Sequence, residues 1–460
     1  YSDVNAGSYD AFAAIFSSNL GTTDLLHATY IGGLHPDFAT GIALDSSGNV
    51  FITGYTFVTG ASFFDYPTTF GAYDTSHNGL YDVFVTKFFD TLNLSDSTLI
   101  GGDDVDVSHA IVLDSADNVY ITGLTFDGNV TDYPITNGTA DQTHNGNIDV
   151  FVSKLSSDLS SLDASTFVGG TGDEFGNGIA LDISNNVFIT GHTNSTDYPA
   201  TPGAYQETNA GGNDAIVSRL SSDLSSLDFS TYIGGTGDDF GNTIALDAAG
   251  KPYIAGETVS SDYPTTSGTF SETAFGSDDA FVSCLSADLS SLDASTYIGG
   301  ANVDHAVAIA LDDSGKAYIT GHTNSTDYPT TSGAYQGSYS GGGFDDVLVS
   351  TLSSDLSNLL YSTFIGGSTG NETGHDIALG GSAYIVGLTD STDYPTTSGA
   401  YQETYNGGGD AFVSHIDIAF ITIIKTIIND DGGNAIVDDF TFRINGTAVT
   451  NGTANSVSAG

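Results

Sequence analysis

The triplet Asp-Tyr-Pro recurs six times, beginning at Asp65, Asp132, Asp197, Asp262, Asp327 and Asp393, at intervals of 67, 65, 65, 65 and 66 residues. A period held that tightly calls for one supersecondary unit, built repeatedly and stabilised by its neighbours. A Gly-Gly pair keeps step with it, ending at Gly33, Gly102, Gly170, Gly235, Gly300 and Gly367. The unit from Asp214 to Pro264 holds four short β-type runs, at 215–220, 230–233, 243–246 and 252–255, each bounded by Gly, Asp, Asn or Ser. The last two read as a hairpin, because Asp247-Ala-Ala-Gly250 separates them. Four antiparallel strands at a fixed period make a propeller blade, whose two apolar faces are covered only when blades pack side by side in a ring.

The expected fold class is therefore all-β: a β-propeller of four-stranded blades plus a short C-terminal β-sandwich-like segment. The Ile-Ala-Leu-type run occurs six times, centred on Ala43, Val112, Ala180, Ala245, Ala310 and Ala378, which favours six blades. The Asp-Ala-Phe-type strand occurs seven times, starting at Asp10, Asp82, Asp149, Asp214, Asp279, Asp346 and Asp410, which leaves one surplus strand and keeps seven blades open. A surplus strand belongs at an edge or against a neighbouring subunit.

On Ser295-Thr-Tyr-Ile-Gly-Gly300, Ile309-Ala-Leu-Asp312, Ala317-Tyr-Ile-Thr-Gly-His-Thr323 and Asp327-Tyr-Pro329, the repeat resembles the bacterial and archaeal SBBP repeats, named for a seven-bladed β-propeller. The resemblance covers about residues 1–416 and implies an extracellular propeller with no shared activity to carry over. The organisation expected is a propeller of six repeats of about 65 residues plus one strand over 1–416, followed by a partial module over 417–460. Residues 419–460 resemble the start of a transthyretin-like or Ig-like β module. About 40 residues cannot complete a seven-stranded sandwich, so this is a truncated module, one completed by another chain, or an assembly arm.

Charge narrows the partners. Seven Lys plus Arg stand against 57 Asp plus Glu, a formal net charge of −50. Such a field repels phosphate backbones and anionic headgroups, so neither nucleic acid nor a membrane surface is an expected partner, whereas cations are. Regularly spaced aromatic and β-branched residues argue against disorder. The chain has no methionine and opens inside a repeat, so the numbering is expected to describe a processed product. Its most apolar stretch, from Ile418 to Ile428, is broken by Thr422 and Lys425 and is too short to span a membrane.

The acidic loops after Gly-Gly supply candidate Ca²⁺ ligands in Asp103, Asp104, Asp106, Asp173, Asp238 and Asp239, since Ca²⁺ takes six to eight oxygens. No EF-hand spacing is present, and bracing of turns is the plainer reading. A carboxylate pair for glycoside hydrolysis is disfavoured because a catalytic pair is asymmetric, whereas these acids recur in every copy. Histidines such as His109, His192, His322 and His375 show no zinc-like spacing and read as surface substitutions. Cys284 shares its repeat position with Lys87, Lys154, Arg219, Thr351 and His415, so it is not expected to be a nucleophile. The Asp-Tyr-Pro tyrosines are expected to pack under a loop; an exposed ring stacking on sugars is the alternative. Eight sequons, at Asn93, Asn129, Asn137, Asn194, Asn324, Asn371, Asn445 and Asn451, are candidate glycosylation sites.

No catalytic residue or cofactor is assigned, and no enzyme is expected. The reading reached is a secreted or cell-surface structural protein whose partners are copies of itself, assembling into a filament or sheath by strand exchange. A monomeric adhesin or glycan-binding propeller is the alternative, and a carbohydrate-active hydrolase or lyase comes third.

Overall fold

The computed structural model describes residues 2, 4–7, 9–58, 66–126 and 133–418, together with the backbone of 442–444 and 447–449. Every regular element among the described residues is a β-strand. The chain opens with β1 (Ala11–Phe16) and β2 (Leu25–Ile31), which pair with each other. Five four-stranded units follow. The first holds β3 (Asp37–Leu44), β4 (Val50–Phe57), β5 (Tyr81–Phe88) and β6 (Leu94–Ile100), and the second β7 (Val105–Leu113), β8 (Val119–Phe126), β9 (Ile148–Leu155) and β10 (Leu162–Val168). The third holds β11 (Glu174–Leu181), β12 (Val187–Thr193), β13 (Asp214–Leu220) and β14 (Leu227–Ile233), and the fourth β15 (Asp239–Leu246), β16 (Pro252–Thr258), β17 (Asp279–Leu285) and β18 (Leu292–Ile298). The fifth holds β19 (Asp304–Leu311), β20 (Ala317–Thr323), β21 (Asp346–Leu352) and β22 (Leu359–Ile365). Three strands then form a sheet of their own: β23 (Glu372–Leu379), β24 (Ala383–Thr389) and β25 (Asp410–Ile416). Two short strands, β26 (Phe442–Ile444) and β27 (Thr447–Val449), form a hairpin.

Each four-stranded unit is a meander, a-b-c-d, paired antiparallel throughout. The strands cover and extend the four runs read from the unit beginning at Asp214. The a–b hairpin forms where expected: Leu246 pairs with Pro252, and Gly250 closes the turn at φ +78°, a conformation that glycine adopts without steric cost. A bulge in strand a, between Gly241 and Thr243, recurs in every a–b pair and bends the strand.

The blades bury both faces against one another. Ala215, Val217 and Ile233 of one blade pack on Ile244, Ile254 and Phe281 of the next. The b–c loops of the first four blades also clasp the c–d hairpin of the following one: Tyr73, Ala140, Tyr205 and Phe270 donate backbone N–H bonds to the carbonyls of Leu159, Leu224, Leu289 and Leu356. Those leucines sit at φ near +55°, where a side chain costs energy, and complete burial of the side chain offsets it. The same clasp runs from Tyr401 in the three-stranded blade to Leu20 in the β1–β2 hairpin, beside a β-bridge between Gly21 and Ala400. Of the two blade counts that the sequence leaves open, these contacts mark seven positions: among the described residues β1–β2 supplies strands c and d of one, five blades are complete, and the last shows a, b and c. The six sequence copies are spread over seven places because the chain enters its first blade at strand c.

The hairpin β26–β27 apart, residues 419–460 lie outside the described residues. Their resemblance to a transthyretin-like or Ig-like module gains no support from it.

Candidate functional site

The two sequence markers meet at each blade junction. An acid opening strand c of one blade and an acid opening strand a of the next converge on the first glycine of Gly-Gly. A Cβ on Gly234 would lie 2.6 Å from Asp214 Cγ and 2.9 Å from Asp239 Oδ2; the same pairing recurs as Asp82 with Asp106 at Gly101, Asp279 with Asp304 at Gly299, and Asp346 with Glu372 at Gly366. The strand-a acid accepts the N–H of the second glycine, at 2.7 Å from Gly235 to Asp239 and 2.6 Å from Gly300 to Asp304. It also accepts the hydroxyl of the threonine closing strand b, as Thr193 donates to Glu174 and Thr258 to Asp239. The strand-c acid accepts loop amides, Ala210 to Asp214 at 2.8 Å and Phe275 to Asp279 at 2.8 Å. Gly-Gly is required because two carboxylates occupy the place of its side chain.

Asp214, Asp239, Asp279, Asp304, Asp346 and Glu372 are all at most 1% exposed, and among the described residues no Lys or Arg pairs with any of them. Two anions in one dry pocket repel each other and lose their hydration, so the ionised pair is disfavoured. Burial, with Asp239 adding to it, pushes Asp214 up to about 7; burial raises Asp149, Asp304 and Asp346 to about 6. Oδ1 of Asp214, Asp279 and Asp346 is buried without a hydrogen-bond partner, which leaves a position for a proton on that carboxyl. The chemistry of this arrangement is proton retention. Full burial keeps these pairs out of contact with a sugar.

The candidate calcium ligands fall partly within this scheme. Asp106 and Asp239 are the buried strand-a acids. Asp238 accepts the backbone and side-chain N–H of Asn213, and Asp173 accepts side-chain amides from Asn147 and Asn194. Asp103 is exposed and Asp104 half-buried in the loop that opens at Gly102. The six are spread over three junctions, and among the described residues no three His, Cys, Asp or Glu side chains are grouped to hold a metal ion.

Five of the six Asp-Tyr-Pro tyrosines are buried and Tyr394 is half-buried, with Tyr198 and Tyr263 each bonded through the hydroxyl to a strand-c serine, Ser218 and Ser283, which bonds in turn to a strand-d serine. The packing reading holds; a tyrosine ring for stacking on sugars does not. The aspartate of the triplet, as at Asp197 and Asp262, accepts the N–H and hydroxyl of Thr171 and Thr236 and ties the strand-a loop to the b–c loop. These bonds hold both carboxyls below the usual range.

The surface reading is corrected for three of the four histidines: His109, His192 and His322 are half-buried on strands a and b, whereas His375 is exposed on strand a. His109 bonds the Gly176 carbonyl of the next blade at 2.9 Å, from a position where Asn177 and Asn242 bond the carbonyls of Gly241 and Ala306. His192 stacks on Phe175, and burial lowers it to about 4. His305 pairs with Asp278 at 2.9 Å and Glu257 at 3.6 Å. Cys284 is buried, and burial raises its thiol to about 11, which leaves no thiolate at neutral pH.

Asn93, Asn137, Asn194 and Asn371 are exposed and Asn324 is half-buried. Asn194 and Asn324 use their carbonyl oxygens to accept the amides of Asp173 and Val303. Asn129, Asn445 and Asn451 lie outside the described residues.

Sequence reading expected an edge strand but not the groove beside it. Among the described residues the seam between the last blade and β1–β2 shows no strand d on one side and no strands a and b on the other. Phe12 is 56% exposed where its counterpart Phe281 is 0%, and Ile42 is 56% exposed where Ile244 is 7%. Val386 of β24 is 40% exposed, whereas Ala255 and Thr320 at that position are buried. A groove of about 440 Å³ runs between Phe12, Phe16, Tyr401, Val413 and Ile416. Among the described residues β1 pairs only with β2, and β25 only with β24. The signal available in the sequence was the phase of the repeat, which starts at strand c and ends at strand c.

The family described as a beta-propeller repeat, SBBP, matches residues 28–59, 165–199 and 295–329. The chain is a β-propeller repeat protein. No curated protein matches this propeller in sequence. Among solved structures it is similar to hydrazine synthase of Kuenenia stuttgartiensis, at 12% identity over 76% of each chain with a TM-score of 0.37. It is also similar to a protein of unknown function from Dyadobacter fermentans, at 9% identity over 89% of this chain and 98% of that one, TM-score 0.44. A Hadza microbial sialidase matches at 10% identity over 75% of this chain and 62% of that one, TM-score 0.38.

Proposed function

We propose that this propeller is a structural protein of the cell surface or extracellular space that assembles with copies of itself by strand addition. The observation that carries this reading is the open seam. Among the described residues β1 and β25 each have one edge with no strand paired to it and flank an apolar groove, and such edges recruit another chain unless a protein blocks them. The junctions support a building role. The paired acids at the glycine pairs serve the packing of one blade on the next and are buried there. A net charge of −50 fits a protein kept apart from its copies until salt screens it. Electron microscopy of the purified chain across a range of salt should show ordered fibres at high ionic strength, and Val386→Asp should abolish them. Dispersed single particles at every salt concentration would sink the reading.

A further inference from the structure

At the junction of the fourth and fifth blades the chain departs from its own repeat. His305, the second residue of β19, stands where β11 and β15 carry Phe175 and Phe240, and Asp278, just before β17, stands where the preceding blade carries Asn213. His305 Nε2 lies 2.9 Å from Asp278 Oδ2, and its Nδ1 lies 3.6 Å from Glu257 Oε2. Both acids belong to the fourth blade, so the ring spans the junction. Glu257 also accepts the Asn242 side-chain amide at 2.6 Å, whereas Asp278 Oδ1 is buried without a partner. Among the described residues no Lys or Arg pairs with either acid. On the other sides His322 of β20 meets the His305 ring edge to face at 4.8 Å, Asp345 before β21 acts on both rings, and His375 of β23 acts on His322. Burial by itself would lower His305, but Asp278, Glu257 and Asp345 outweigh it and hold the ring above its usual range; burial and the charge of His305 lower His322.

A protonated imidazole donates from both nitrogens, a neutral one from a single nitrogen. Once neutral, His305 turns a lone pair on one of its two acids, whichever tautomer it takes. We propose that His305 is a proton-operated latch between the fourth and fifth blades, closed while its ring is charged and released when the ring loses its proton. Release reaches the backbone, because the Asp278 carbonyl accepts the Asp304 N–H at 2.9 Å and Asp278 forms a β-bridge with Val303. The latch is local. At the preceding junction the Asp239 N–H donates to the Asn213 carbonyl at 2.7 Å, and Phe240 holds the place of the ring. A ring held above its unfolded value of 6.5 contributes stability below that pH and loses it as pH rises through the folded value.

The test compares amide hydrogen exchange in the full parent chain and in His305→Gln, which keeps a donor and cannot take a charge. The buried acid pairs titrate in both chains, so the readout is the ratio of protection between them. The Asp304 amide should be protected about threefold or more better in the parent near pH 6, with the ratio falling to about one near pH 9. The Asp239 amide should show a ratio of about one throughout. A ratio at Asp304 that does not change with pH, or an equal change at Asp239, overturns the latch. A second measurement stands even if the glutamine variant folds poorly. By NMR titration His305 should have its midpoint above 6.5 in the parent, and in the Glu257→Gln/Asp278→Asn chain the midpoint should fall by about one pH unit or more. A parent midpoint at or below 6.5, or one left in place by the double substitution, also overturns it.

Discussion

Gly234 has room for a hydrogen and little else, since an added Cβ meets the carboxylates of Asp214 and Asp239 at under 3 Å. Gly234→Ala should therefore cost about 2 kcal/mol or more, as overpacked core sites do, measured by chemical denaturation. The exposed turn glycine Gly203, at φ +86° with open space around it, should lose less on the same change. The acid pair gives a pH dependence with a definite sign. Asp214 titrates near 7 in the folded chain against 3.8 unfolded, so the folded state keeps a proton that the unfolded state has released. That contribution is complete below about pH 4 and is lost as pH rises through 7. Asp214→Asn retains an acceptor for the Ala210 amide and removes the charge, so its melting temperature should gain on the parent's between pH 5 and 8. A constant difference over that range would contradict the proton-retaining pair. His192 acts in the opposite sense: lowered to about 4, it contributes stability that fades as pH falls below 6.5.

At the scale of strands, equivalent residues should differ by where the ring leaves them. Phe281→Ala opens a cavity between two blades and should cost about 3–5 kcal/mol, while Phe12→Ala should cost well under 1 kcal/mol. Denaturant titration of the two variants would check this, and equal losses would mean that the seam is filled. Much of the blade was legible in the sequence. Asp247-Ala-Ala-Gly250 marked the a–b turn, and regular turn residues bracketed each strand. The blade count was not, because Asp10 and Asp410 open the same strand type and composition does not say whether they share one blade or stand in two. The inner-strand histidines were misread for a related reason: His109 and Asn177 look interchangeable along the chain, and only the ring shows that both bond to a carbonyl on the next blade. Asp82, Asp149 and their equivalents were noticed as strand starts, yet their pairing with strand-a acids depends on a contact between neighbouring blades.

Over the whole molecule, one repeated clasp holds the described blades in a ring. The clasp from Tyr401 to Leu20 sets the number of positions, because in a six-position ring the hairpin at Leu20 would meet the preceding b–c loop instead, at Ala334. Disulfide trapping distinguishes the two. Residues paired across an antiparallel bridge have Cα separations within reach of a disulfide, and the one native cysteine is buried. Oxidised Gly21→Cys/Ala400→Cys chain should form an internal crosslink that migrates faster on a non-reducing gel, while Gly21→Cys/Ala334→Cys should not. A crosslink in the second variant and none in the first would contradict the seven-position ring and close the seam on which the proposed function stands.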